Sequence, residues 1–105
     1  MLRFKFFIVI VTPDDCDKAR EIICGHGARG VAAVPGKGCA KHEILEELGF
    51  KDDKKQVLTG FVPEDNENAL LDALYSGLLY KKGAGLAFTV NVQECIGLRS
   101  VFLTS

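Results

Sequence analysis

The first apolar segment, residues 4–11, is rich in β-branched and aromatic side chains and shows almost no polar alternation. A run that is apolar on both sides is typical of a strand covered on both faces of its sheet. The run ends at Thr12 and Pro13, and two aspartates follow. Because these residue types suit the first turn of a helix, the pattern predicts a strand and then a helix.

Apolar residues with helical spacing come next, and glycines at positions 25 and 27 lie where that helix should end. The apolar face consists of Ala19, Ile22, Ile23 and His26. Residues 31–34 predict a short strand that breaks at Pro35 and Gly36. Residues 36–56 are then predicted to form a long excursion, which is uncommon in a compact domain and often functional.

The second half of the chain repeats the strand–helix–strand pattern. Residues 57–62 predict a strand, and Pro63 opens a second helix, which should end at Lys81, Lys82 and Gly83. The apolar face of this helix consists of Leu70, Leu74, Gly77 and Leu78. The last strand alternates, with Leu86, Phe88, Val90 and Val92 on one face.

This element order predicts an α+β fold, a ferredoxin-like βαββαβ sandwich with a four-stranded antiparallel sheet and two helices on one face. Residues 101–103 are expected to add a short edge strand. The other sheet face has no helix to cover it, although the first strand is apolar on both sides. We therefore expect the chain to form a homo-oligomer through that face.

Composition narrows the class of protein. The 105 residues, 48% of them hydrophobic, fit a single domain spanning residues 1–105. A net charge of −1, from 13 basic and 14 acidic residues, argues against nucleic-acid binding. No secretory signal pattern and no membrane-length apolar run is present, so a cytoplasmic protein is expected. The four cysteines lack the spacing of a redox pair or a zinc knuckle.

The first candidate site is Gly36-Lys37-Gly38, which follows a predicted strand and opens the excursion. Glycines let the backbone approach a ligand closely, and the lysine supplies a charge for a phosphate. The alternative is a flexible bend that leaves a strand.

The second candidate is the bend at Gly83, Ala84 and Gly85, beside two lysines. Its backbone N–H groups could face an anion, or the bend could simply end a helix. Arg99, just past the last strand, suits a bidentate phosphate contact, although a single arginine near a chain end is often only solvated.

A metal site is the alternative kind of chemistry. Cys39, His42 and Glu43 lie within five residues of one another in the excursion, but without a standard zinc spacing. His26 is expected to be a partly buried, hydrogen-bonded helix residue. No nucleophile elbow, phosphate-binding Walker loop or paired-histidine helix occurs, so the sequence does not predict an enzyme.

The whole layout resembles the P-II (PII) nitrogen regulatory family of signal-transduction proteins, over most of the chain. The residues in step with the family's first half are Pro13, Arg20, Gly27 and Gly30, and Lys37-Gly38 falls on the Lys-Gly of its Val-Lys-Gly-Phe-Gly-Arg-Gln motif. Lys41 stands in place of that motif's arginine. The second half matches through Phe61-Val62-Pro63-Glu64-Asp65, the B-loop-like Gly83-Ala84-Gly85-Leu86 and the tail that reaches Arg99.

The resemblance implies a homotrimer that binds an adenine nucleotide, ADP, AMP or ATP, in the clefts between subunits. It implies a T-loop-like excursion at about residues 39–56, which would regulate a membrane transporter or a metabolic enzyme. The implied nucleotide-binding residues are Gly36, Lys37, Gly38, Lys41, Phe61, Gly83, Ala84, Gly85 and Arg99. No metal and no catalytic residue is implied.

Two departures from the family bear on the ligand. Leu86 and Gly97 replace a phosphate-binding lysine and arginine, so triphosphate binding should be weakened. A metal-tolerance protein of the CutA type, which shares the trimeric fold, remains the alternative, with Cys39 and His42 as its ligands. The central prediction is that the two glycine-rich bends meet across a subunit boundary and hold an anion.

Overall fold

The computed structural model describes residues 3–37, 54–81 and 84–92. These residues form four strands, β1 (Phe4–Val11), β2 (Arg29–Lys37), β3 (Lys54–Pro63) and β4 (Gly85–Asn91). They also form two α-helices, α1 (Cys16–Gly25) and α2 (Glu67–Leu74). A one-turn 3-10 helix precedes each of them, and a π-helical turn, Tyr75–Leu79, continues α2.

The strands form one antiparallel sheet in the order β2-β3-β1-β4. The central strand β1 pairs with β3, where Val9 lies opposite Leu58, and with β4, where Val9 lies opposite Ala87. The predicted α+β, ferredoxin-like fold is therefore confirmed. Among the strands that the structure describes, β2 and β4 lie at the edges of the sheet.

The hydrophobic core lies between the helices and one face of the sheet. It consists of Phe7, Val9, Val11, Ala19, Ile23, Ala28, Leu58, Val62, Leu70, Leu74 and Leu78. Alternate residues of β1 contribute to it, and residues of both helices join the same cluster. Both helices therefore pack on one side, as predicted.

The other face of the sheet, which we call the open face, is almost entirely apolar. By strand alternation and register it carries Phe4, Phe6, Ile8, Ile10, Ala32, Val34, Val57, Thr59, Phe61, Leu86, Phe88 and Val90, together with Lys55 near the end of the sheet. Phe88 and Val90 are 41% and 44% exposed. The predicted alternation of the last strand is correct, and its larger apolar side chains point away from the helices while Ala87 packs against the core.

The predicted end of the second strand is wrong. β2 does not break at Pro35 but continues through Gly36 to Lys37 in register with β3. Proline lacks a backbone donor, and only an edge strand has a free side where that donor is not needed. β2 is an edge strand, so Pro35 is tolerated there.

The excursion is shorter at its C-terminal side than the prediction of residues 36–56, because β3 begins at Lys54. Residues 38–53 and the expected edge strand at 101–103 lie outside the described residues. Gly27, with a φ of 80°, follows the end of α1, as expected for a helix-terminating glycine. Within the described ranges, no helix is long and apolar enough to cross a membrane.

Candidate functional site

The first glycine-rich bend begins inside the sheet, at the end of β2. Gly36 lies opposite Lys55 and Lys37 lies opposite Lys54 in the β2–β3 register. Three lysines and a glycine therefore occupy the last two rungs of this ladder, which we call the β2–β3 mouth. Of these two rungs, only that of Lys37 and Lys54 places like charges directly opposite each other, an arrangement that destabilises a strand pair.

Two members of this group, Lys54 and Lys55, were not among the predicted binding residues, and Lys55 is the buried one. Its side chain is 6% exposed, although strand alternation puts it on the open face with Val57. A buried ammonium group is rare unless it has a partner, and Lys55 makes an interaction of its own. In the sequence, Lys55 belongs to a charged run at 51–55, whose last two residues are part of β3.

The second bend connects the π-helical turn to β4. The Ala84 N–H donates to the Lys81 carbonyl oxygen at 3.1 Å, which closes a four-residue turn. Ala84 is buried, and Lys81 is exposed with its ammonium group 5.6 Å from the centre of the Tyr80 ring. This turn therefore presents at least one cation at the surface.

The close packing of β4 against β1 requires a glycine at position 85. Its φ is 144°, and a Cβ at this position would lie 2.0 Å from the Ile10 carbonyl oxygen. No other residue type fits this close approach of β4 to β1. Gly85 therefore has a structural role in the β1–β4 pairing that does not depend on a ligand.

The two bends lie at the same end of the sheet but at opposite edges. The end of β2, the start of β3, the end of β1 and the start of β4 all meet there, since Val11 pairs with both Gln56 and Gly85. Three strand spacings separate β2 from β4, a distance of about 14 Å. One phosphate group cannot contact both bends of a single protomer.

Phe61 lies apart from both bends. It is six residues from Lys55 along β3, which corresponds to roughly 20 Å. Its half-buried ring packs edge-on against Phe6 on the open face, with ring centres 5.4 Å apart. Of the predicted binding residues, the structure therefore groups Gly36 and Lys37, and separately Ala84 and Gly85, but not Phe61.

The remaining predicted residues are not among those that the structure describes. They are Gly38, Lys41, Gly83 and Arg99, together with the alternative metal ligands Cys39, His42 and Glu43. Within the described part of the chain, no group of three or more potential metal ligands occurs. His26 is half-buried with its Nδ1 2.8 Å from the Ile22 carbonyl oxygen, which agrees with its expected structural role.

The sequence matches no family model, and no curated protein matches it. The structure, however, is similar to solved structures of PII-like proteins, and the chain has their fold. CPII from Thiomonas intermedia K12, bound to ADP, AMP and acetate, superposes with a TM-score of 0.68 and 19% identity. That alignment covers 94% of this chain and 96% of CPII.

A second similar structure is PII of Arabidopsis thaliana bound to citrate. It has a TM-score of 0.64 and 20% identity over 94% of this chain and 86% of the plant protein. Another structure of the Thiomonas protein, described as a nitrogen regulatory PII-like protein, contains ADP, AMP and bicarbonate. Its TM-score is 0.64 at 18% identity, over 90% of this chain and 99% of CPII.

Proposed function

We propose that this protein is a divergent PII-like signal-transduction protein. Three copies associate through their open faces, and an adenine nucleotide binds in each cleft between neighbouring subunits. The excursion between β2 and β3 then regulates a partner, a membrane transporter or a metabolic enzyme. The protein acts in the cytoplasm as a regulator and not as an enzyme.

The observation that carries this proposal is the position of the two bends. They lie at one end of the sheet, about 14 Å apart across it, which is too far for one phosphate group. In a closed ring of identical subunits, one edge of each sheet faces the opposite edge of the next. A head-to-tail arrangement of this kind brings the β2–β3 mouth of one subunit to the bend at Gly85 of its neighbour.

The apolar open face supports the association of subunits. Its exposed residues include Val34 on the edge strand β2, and Phe88 and Val90 on the edge strand β4. A contiguous apolar face of this kind is uncommon on a monomer and marks an interaction site. Most soluble oligomers are closed assemblies of identical subunits, and in such an assembly the same face of every subunit is buried.

The charges at the mouth support an anionic ligand. Lys37 and Lys54 lie opposite each other on one rung, and two structures of CPII contain ADP and AMP together with acetate or bicarbonate. We include the buried Lys55 in the proposed site on the ground of its place opposite Gly36. Phe61 is left out of the proposed site, because it lies roughly 20 Å along β3 from Lys55 and its ring packs against Phe6.

The position of Leu86 favours a ligand with fewer phosphates. Leu86 follows Gly85 directly and pairs with Ile10 on the open face. Its side chain supplies no charge for a phosphate group. A lost charge-assisted contact costs about 1.5–3 kcal/mol, or roughly tenfold to more than a hundredfold in affinity. We therefore expect ADP or AMP to bind at least as tightly as ATP.

Isothermal titration calorimetry with ADP, AMP and ATP, with and without magnesium, tests the proposal. ADP or AMP should give a saturable heat signal, and Lys37→Ala or Arg99→Ala should weaken it by about tenfold or more, because each removes a phosphate contact. Lys18→Ala is the matched control, since Lys18 is an exposed lysine on α1, on the helical side of the sheet. No heat with any of the three nucleotides would exclude the proposed ligand class.

A further inference from the structure

The ladder between β2 and β3 has an apolar part and a polar part. Residues 32–34 of β2 lie opposite residues 57–59 of β3, and most of these residues are apolar. The last three rungs that the structure describes pair residues 35–37, Pro-Gly-Lys, with residues 54–56, Lys-Lys-Gln. Proline and glycine are poor strand formers. The ladder therefore continues beyond the point where the residues of β2 favour pairing.

Pro35 shows which of these rungs carry backbone hydrogen bonds. Because proline has no N–H, its rung is of the kind in which the two opposite residues share no backbone hydrogen bond. The two kinds of rung alternate along an antiparallel pair, so Gly36 and Lys55 exchange backbone hydrogen bonds. The next rung, Lys37 and Lys54, again has none, and in such rungs the Cα atoms are closer, about 4.5 Å apart instead of 5.5 Å.

A rung of two lysines at this short separation favours opening of the strand pair. Like charges directly opposite each other destabilise the pairing, whereas an anion between them would attract both. Lys55 does not share this repulsion, because it lies opposite a glycine and its buried side chain has an interaction of its own. Among the described rungs of this ladder, that of Lys37 and Lys54 is therefore the one whose pairing is most sensitive to an anion.

We propose that the end of the β2–β3 ladder is an extension of the sheet that depends on a bound anion. Without an anion, the rungs of residues 35–37 open readily. A phosphate group between Lys37 and Lys54 offsets their repulsion and holds these rungs paired. This inference rests on the proposed function, since the anion is a phosphate group of the same nucleotide. The position at which the chain leaves the sheet after β2 then depends on the ligand.

Hydrogen exchange of single backbone amides, followed by NMR, tests the inference. The amides of Gly36 and Lys55 form the last hydrogen-bonded rung that the structure describes, and those of Val34 and Val57 form the preceding one. Inorganic pyrophosphate, which supplies phosphate groups without the nucleoside, should slow exchange at Gly36 and Lys55 by roughly fivefold. Exchange at Val34 and Val57 should stay unchanged.

Charge variants show whether repulsion opens the rung, since strand ends also fray for other reasons. Lys37→Glu places opposite charges on the rung, so Gly36 and Lys55 should exchange roughly fivefold more slowly than in the wild type without any anion. Pyrophosphate should add nothing. The double variant Lys37→Glu/Lys54→Glu restores like charges of the other sign, so it should lose this protection, and pyrophosphate should not restore it. Lys18→Glu, at an exposed lysine of α1, is the control and should behave as the wild type.

Calorimetry with ADP separates this inference from the proposed function. If the wild type binds no ADP while pyrophosphate slows exchange at Gly36 and Lys55, the nucleotide is excluded and the anion-dependent ladder stands. If ADP binds and neither ADP nor pyrophosphate changes this exchange, the ladder does not respond to the ligand and the inference fails. Equal exchange rates in the wild type and Lys37→Glu would also overturn it.

Discussion

Glycines carry much of the structural information at the scale of single residues, and they do so for different reasons. Gly27 has a positive φ at the end of α1, which the sequence pattern predicted from helix-ending rules. Gly60 faces the Phe7 ring across the sheet, where a Cβ would lie 2.7 Å from the ring. Gly85 meets the Ile10 carbonyl oxygen. The last two depend on cross-strand register, which local sequence rules do not supply.

Lys55 shows the same dependence on register. In the sequence it is one of several charged residues in a run that is typical of a solvated loop. In the structure it lies in β3 opposite Gly36, with its side chain buried. A run of charges gives no sign of which member a strand will bury, so this candidate could be found only from the fold.

Gly85→Ala should destabilise the protein by about 3 kcal/mol or more, because the new methyl group would overlap a backbone oxygen that cannot move without breaking the β1–β4 pairing. Urea unfolding followed by circular dichroism measures the change. Gly25→Ala, in open space at the end of α1, should be neutral or stabilising by up to about 1 kcal/mol. Equal stability of wild type and Gly85→Ala would show that β4 does not approach β1 in this way.

At the scale of elements, the sequence was sufficient to predict those strands and helices that depend only on a local pattern of residues. The residues of β1 agree with prediction, and each predicted helix face has a buried centre, Ala19 and Ile23 in α1 and Leu70 and Leu74 in α2. The end of β2 was not predictable, because the effect of Pro35 depends on whether its strand is central or at an edge. The π-helical turn was also missed, since nothing in the spacing of apolar residues distinguishes it from an α-helical turn.

The open face of the sheet makes an element-scale prediction about assembly. Phe88→Lys should convert the oligomer to monomers, because a lysine would be buried without a partner between subunits. Multi-angle light scattering at micromolar concentration measures the mass, which should fall to that of one chain.

Tyr75→Lys is the matched control for this change. Tyr75 is a more exposed aromatic residue, at 64%, on the helical side of the protein. The substitution Tyr75→Lys should leave the proposed oligomer intact. A monodisperse monomer for the wild type, or an oligomer that survives Phe88→Lys, would contradict an interface on the open face.

At the scale of the whole molecule, the ferredoxin-like topology places two unrelated loops at one end of the sheet. The sequence predicted both bends and the order of the elements along the chain. It did not predict the order of the strands across the sheet, which puts β2 and β4 at opposite edges and so sets the distance between the bends. Because of that separation, a single phosphate group cannot contact both bends of the same chain. The arrangement of a neighbouring subunit cannot be derived from local patterns, so the assembly stays a proposal.

Subunit complementation tests the central claim, that each ligand site combines the β2–β3 mouth of one subunit with the bend of another. Lys37→Glu alters the mouth without loss of strand pairing, because glutamate opposite Lys54 forms a favourable cross-strand pair. Gly83→Asp adds a repelling carboxylate to the bend. Each variant alone should bind no ADP in calorimetry.

The two variants, co-expressed with different tags and purified on both, give assemblies that contain both kinds of subunit. If the sites lie between subunits, one cleft of a mixed trimer joins an unaltered mouth to an unaltered bend. ADP binding should then return at about one site per trimer, or roughly a third of the wild-type number. If mixed assemblies bind no ADP while the wild type does, the two bends do not form a shared site, and the account is contradicted.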